Sequence, residues 1–202
     1  SFLVDVKAPA GLQPQLELEI DYGGFIEQFP VRDLLIGTPS IPFADDAEYG
    51  PEDWQTNQSW NTTTQYSHSP DSAFTDSPFG YYLPNTNNSF ILKKRLNLLG
   101  ASAAFLEFYT RWDIEKNYDA GMVEVSIDSI NWIALNGIYT TSGSGLGEQK
   151  PAGTPLYDGS QVNWVKEVID LSPVLGASQV YLRFRLRSNS HLERDGWYID
   201  DI

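Results

Sequence analysis

The 202-residue chain has no cysteine, one methionine and two histidines, and each scarcity removes a class of chemistry. Without Cys there is no disulfide, no thiolate metal site and no thiol nucleophile. His68 and His191 stand in no HExxH arrangement and are too few for a catalytic zinc centre. Positive charge is scarce too: 13 Lys and Arg against 27 Asp and Glu leave a net charge of −14. That surface repels nucleic-acid phosphates and anionic lipid headgroups, so neither nucleic acid nor a membrane is expected as a partner. No apolar run approaches the roughly 20 residues that span a bilayer. There is no G-x-S-x-G nucleophile elbow. The glycine-rich stretch Gly143 to Gly147 is not followed by a helical pattern, so it is expected to be a loop rather than a phosphate cradle.

What the chain does contain is aromatic residues, turn residues and alternation. Six Trp, eleven Tyr and ten Phe supply a core, while 16 Gly and 12 Pro punctuate the chain too often for many long helices. Leu16, Leu18 and Ile20 alternate with acids, and Phe29 to Ile36 is a second extended run after a Tyr22–Phe25 turn. The prolines at 39 and 42 mark a boundary. From 43 to 88 the chain is polar and aromatic, and is expected to be irregular with short strands around Trp54 and Trp60.

Strand signals then strengthen. Phe90–Leu92 and Ala103–Trp112 are extended; in the latter, Leu106, Phe108, Thr110 and Trp112 share one face, and Phe105, Glu107, Tyr109 and Arg111 the other. Met122–Ile127 turns into Trp132–Leu135 as a hairpin, with Val123, Val125 and Ile127 inward. Residues 140–160 are expected to form a loop, and Trp164–Leu171 a strand. Val180, Leu182, Phe184 and Leu186 alternate with Tyr181, Arg183, Arg185 and Arg187, whose arginines should face outward and pair with strand acids such as Glu107. The expectation is an all-β, jelly-roll β-sandwich over 39–202, preceded by C-terminal strands of a partial immunoglobulin-like domain over 1–38. The ends at Ser1 and Ile202 lead us to expect a piece of a longer protein.

Three kinds of site are suggested by the residues. Four oxygen-rich loops could ligate calcium, a hard cation that takes six to eight oxygens. They are Asp45–Glu48, Thr75–Pro78, Asp113–Glu115 with Asp119, and Asp195 with Asp200 and Asp201. The competing reading is that these side chains merely cap turns. Aromatics such as Trp54, Trp60, Tyr66, Tyr81 and Tyr82 could stack on sugars, although most Trp in a sandwich serve the core. Paired strand acids such as Glu107 and Glu124 would fit a jelly-roll glycosidase if they flanked one cleft.

A succession of motifs carries a resemblance. It comprises Leu106-Glu107-Phe108, Trp112-Asp113-Ile114-Glu115 with Tyr118-Asp119, Val123 to Asp128 with Trp132, Trp164 with Ile169 to Ser172, Leu182 to Leu186, and Asp195-Gly196-Trp197-Tyr198-Ile199-Asp200-Asp201-Ile202. In order and spacing these resemble the MAM-like jelly-roll domains that follow the catalytic domain in bacterial secreted metallopeptidases, those of the immune inhibitor A type and the zinc carboxypeptidases. Ile127-Asp128-Ser129 departs from the usual Asp-Gly turn. The resemblance implies structural Ca2+ in the acidic loops, with Asp76, Glu115, Asp119 and Asp200 as candidate ligands. It also implies a non-catalytic accessory module, secreted or at the bacterial cell surface, whose partners are neighbouring domains of the parent protein and a protein or carbohydrate ligand. The alternatives are a carbohydrate-binding module and a jelly-roll glycosidase.

Overall fold

A computed structural model describes residues 16–21, 23, 26–31 and 40–202. The first pair of strands, β1 (Leu16–Asp21) and β2 (Ile26–Val31), form an antiparallel hairpin in which Leu16 opposes Val31 and Asp21 opposes Ile26. The remainder of the expected immunoglobulin-like segment lies outside the described residues.

From Ser40 onward the fold is all-β. Two five-stranded antiparallel sheets pack as a sandwich. One has the order β12 (Gly159–Asp170), β7 (Phe105–Ile114), β14 (Gly196–Asp200), β5 (Ala73–Thr75), β4 (Asn61–Thr63). The other runs β3 (Trp54–Thr56), β6 (Asn87–Leu92), β13 (Tyr181–Arg187), β8 (Ala120–Ser126), β9 (Ile133–Ala134). The chain crosses between the sheets from β5 to β6, β7 to β8 and β13 to β14, which is the winding of a jelly roll. The last strand lies in the middle of its sheet, bonded to β7 on one side and β5 on the other.

The core is aromatic because the segment before β6 supplies few aliphatics. Phe90 is fully buried and stacks on Trp54 at 4.4 Å and on Trp60 at 5.0 Å. Trp197 meets Trp60, Tyr157 and Phe184 at 6.1, 5.1 and 5.7 Å. These rings come from both sheets and interlock them, mostly in tilted or edge geometries that suit the ring quadrupole. The expected alternation holds in β7 and β13, where every second residue is buried.

Several local expectations are corrected. Ile127 is 61% exposed, because β8 ends at Ser126 and Asp128 then organises the turn by accepting from the amides of Ile130 and Asn131. Residues 140–160 are not all loop: β10 (Thr141–Ser142) pairs with β11 (Pro155–Leu156), and β12 begins at Gly159. This excursion lies over the outer face of β8, where Leu156 joins Ala120 and Met122 in a small second core. The polar 43–88 stretch also holds a strand, β5, which the lack of alternation in three residues conceals.

Truncating the central ring should be costly. Phe90→Ala is expected to lower stability by about 3–5 kcal/mol in a urea titration, the usual range for a buried Phe.

Candidate functional site

Two regions concentrate polar and aromatic chemistry: one end of the sandwich and the outer face of the β12–β7–β14 layer. At the end, the β5–β6, β7–β8 and β13–β14 connections cross between the sheets. They carry Asp76, Glu115, Asp119 and Asp195.

Asp76 directly follows β5 and is fully buried. Its Oδ1 accepts the Trp197 amide at 2.8 Å, while its Oδ2 has no partner. Burial pushes its carboxyl up to about 7, partly offset by that backbone bond, and the charge of Asp195 pushes the same way. Gly196, at φ +100°, makes the close approach possible: a Cβ there would overlap the Asp76 carboxylate and the Ser77 hydroxyl. Across the gap, Asn88 is the second residue of the facing β6 strand, and its Oδ1 is also buried without a partner. Ser59 joins the two residues, donating to the Asp76 carbonyl at 2.5 Å and accepting from Asn88 Nδ2 at 2.9 Å.

Glu115 and Asp119 form a separate network at the same end. Asp119 Oδ1 accepts the Asn189 amide at 2.8 Å, and Oδ2 accepts the Tyr82 hydroxyl at 2.8 Å. Asn189 Nδ2 donates to Glu115 Oε2 at 2.9 Å. Burial lifts the Asp119 carboxyl to about 6, against the pull of these bonds. Asp200 stands apart, opposite Tyr109 in the sheet. Its Oδ2 accepts the amides of His68 at 2.7 Å and Ser69 at 3.1 Å, and burial raises it to about 6. The four residues expected to be ligands therefore occupy three environments. Among the described residues no three His, Cys, Asp or Glu side chains come close enough together to share one ion.

The acids expected to flank a glycosidase cleft do not face each other. Glu107 bonds Lys166 at 2.7 Å on the outside of one sheet. Glu124 bonds Arg183 and Arg185 at 2.7 and 2.6 Å on the outside of the other. This corrects the expected pairing of the arginine ladder with Glu107: β13 pairs with β8, not β7, and Arg187 reaches Glu148 in the β10–β11 excursion. Glu167, overlooked in the sequence, is buried and held by the amides of Ile138, Tyr139 and Val168 and the Tyr157 hydroxyl at 2.6–3.0 Å. Its oxygens fasten the loop after β9, a structural task.

On the outer face of β12–β7–β14, the 64–72 segment lays Tyr66 and His68 across the sheet. His68 stacks on Tyr109 with centroids 3.4 Å apart, and its Nδ1 lies 2.6 Å from Asp201. Trp164 meets His68 edge-on at 6.1 Å. The Arg111 guanidinium lies 3.7 Å from the Tyr66 ring and 5.3 Å from that of Tyr198. Of the aromatics singled out in the sequence, Trp54, Trp60 and Tyr82 belong to the interior, whereas Tyr66 and Tyr81 are exposed. Trp132 and Trp164 are the half-buried tryptophans, on opposite outer faces.

Comparison with known proteins gives a distant relation. The chain is 25% identical over 192 residues to Bacillopeptidase F of Bacillus subtilis (strain 168), a match that covers 90% of this chain and 12% of that protein. The chain thus spans about an eighth of that relative's length. No family profile matches it. Among solved structures it is similar to the K1 cleaved adhesin domain of Lys-gingipain from Porphyromonas gingivalis, at 14% identity and a TM-score of 0.48, covering 79% of this chain and 94% of that one. It is also similar to the C-terminal family 22 carbohydrate binding module of Clostridium thermocellum Xyn10B, at 10% identity and a TM-score of 0.48, covering 81% and 94% respectively.

The buried acid sets a pH dependence. The Asp76 carboxyl is raised from 3.8 to about 7, so the fold holds a proton that the unfolded chain releases. Its contribution to stability is present below about pH 4 and is lost as pH rises through about 7. In EDTA, the melting temperature should fall over that window more steeply in the native protein than in Asp76→Asn.

Proposed function

We propose that the chain is a non-catalytic accessory module of a larger secreted bacterial protein, a peptidase, in which it binds or positions rather than cleaves. The observation that carries this reading is the relation to a small part of a far longer peptidase. Support comes from the acids themselves: Glu107, Glu124 and Glu167 are each committed to cations or to backbone amides. Assignment to the MAM-like jelly rolls of metallopeptidases, with an immunoglobulin-like segment over 1–38, belongs to this proposal. So does an extracellular location; among the described residues no helix is long and apolar enough to cross a membrane.

Structural calcium is part of the same reading. Calcium prefers carboxylate, amide and carbonyl oxygens, and the buried unpartnered oxygens of Asp76 and Asn88 are of that kind. Asp76 would supply the charged ligand and Asn88 an amide oxygen, in a place where the bare carboxylate is poorly solvated. Glu115 and Asp119 already share Tyr82 and Asn189, and Asp200 is capped by backbone amides, so they are weaker candidates. A second reading, a carbohydrate-binding module, is favoured by the half-buried rings on the outer sheet face.

Both parts are open to test. The protein should release no peptides from casein, and measurable hydrolysis that survives purification would refute the accessory role. Calcium at about 100 times its Kd should stabilise the fold by about 2.7 kcal/mol relative to EDTA. That gain should vanish in Asp76→Asn; an unchanged melting midpoint in the native protein would rule out a stabilising ion.

A further inference from the structure

We infer that the outer face of β12–β7–β14 is a binding platform for a neutral polysaccharide, with Arg111 as its hydrogen-bonding centre and Trp164 and Tyr66 as its stacking surfaces. The inference deepens the module reading and rests on it in one respect, that the face binds without turning its ligand over.

Arg111 is the point of departure. Its fellow cations on the strands are matched: Arg183 and Arg185 by Glu124, Arg187 by Glu148, and Lys166 by Glu107. Among the described residues the Arg111 side chain makes no ion pair and no hydrogen bond. Its Nε is buried without a partner. Yet the side chain is half-buried and stacked on Tyr66, so its planar guanidinium fork is held in place at the surface.

The surroundings supply what a sugar needs beside donors. Between the pairs Gln161–Trp112 and Val165–Thr110, the β12 strand inserts Val162, Asn163 and Trp164 opposite the single residue Arg111. Such a bulge re-aims a side chain. Here Trp164 has no register partner on β7 and meets His68 edge-on. The rings thus extend from β12 across β7 to β14, two strand spacings or about 10 Å, which is room for more than one sugar unit. Stacking rings with a guanidinium between them match alternating C–H faces and vicinal hydroxyls.

Charge selects the neutral class. Asp113 shares the outer face of β7 with Arg111, Asp195 bonds the Tyr198 hydroxyl at 3.1 Å, and Asp201 holds His68. These acids supply acceptors for hydroxyls but repel carboxylates and sulfates, as does the net charge of −14. An acidic polysaccharide is disfavoured for the same reason as nucleic acid.

Native affinity gels containing soluble arabinoxylan, mixed-linkage β-glucan or galactomannan test the inference, with polygalacturonate as the anionic arm. The native protein should be retarded by at least one neutral polymer and not by polygalacturonate. Trp164→Ala should weaken retardation at least tenfold. Arg111→Lys, which keeps the charge but loses the planar fork, should do the same with its melting temperature little changed. Trp132→Ala, on the opposite sheet, should migrate like the native protein. No retardation by any neutral polymer, retardation by polygalacturonate alone, or undiminished retardation of both Trp164→Ala and Arg111→Lys would overturn the inference. Release of reducing sugar would instead refute the non-catalytic reading and leave the binding face standing.

Discussion

The seating of β14 between β7 and β5 is the constraint on which the rest of the sandwich depends. A five-residue strand at the sheet's centre must satisfy neighbours on both edges, and its side chains serve both faces at once. Trp197 and Ile199 point inward into the aromatic core, while Tyr198 and Asp200 point outward beneath Tyr66 and His68. Without this strand, β7 and β5 would each present an unpaired edge and the core would lose its central indole. Pairing of Ile202 with Asp45 ties the segment that follows it to the first loop of the sandwich.

Both candidate regions are consequences of that insertion. At its start, the turn at Gly196 presses the backbone against Asp76, burying a carboxylate with one oxygen unmatched. Along its outer side, Tyr198 forms the floor on which Arg111 and Tyr66 rest. Desolvation dominates the acids at the first region, lifting Asp76 and Asp119 well above an ordinary Asp. Shared aromatic contact dominates the second. The buried Glu124 with its two arginines belongs to neither: a desolvated ion group of this kind adds little net stability but strongly penalises loss of one member.

Much of the architecture was legible because long, half-buried strands write their burial into alternation. Leu106 to Trp112 and Leu182 to Leu186 reveal their faces directly, and Gly196 to Asp200 reveals a closing strand. Short strands such as β5 carry too few residues for a period, and β10 and β11 hide in a Gly- and Pro-rich stretch. The site was less legible. Composition showed that acids were abundant but not which were buried; the partner of Arg183 depended on strand order, which alternation does not encode. Arg111 looked like any outward strand residue. Only the fold of the 64–72 segment over the sheet makes it a stacked, unmatched cation, and that same segment brings His68 against Trp164.

Native-state hydrogen exchange tests the central role of β14 most directly. If the strand organises the sandwich, the amides of Trp197 to Asp200 will exchange only through global unfolding, with an opening free energy equal to that from urea denaturation and the same denaturant slope. Exchange of these amides through a smaller, denaturant-insensitive opening, while β7 and β13 stay protected, would contradict it.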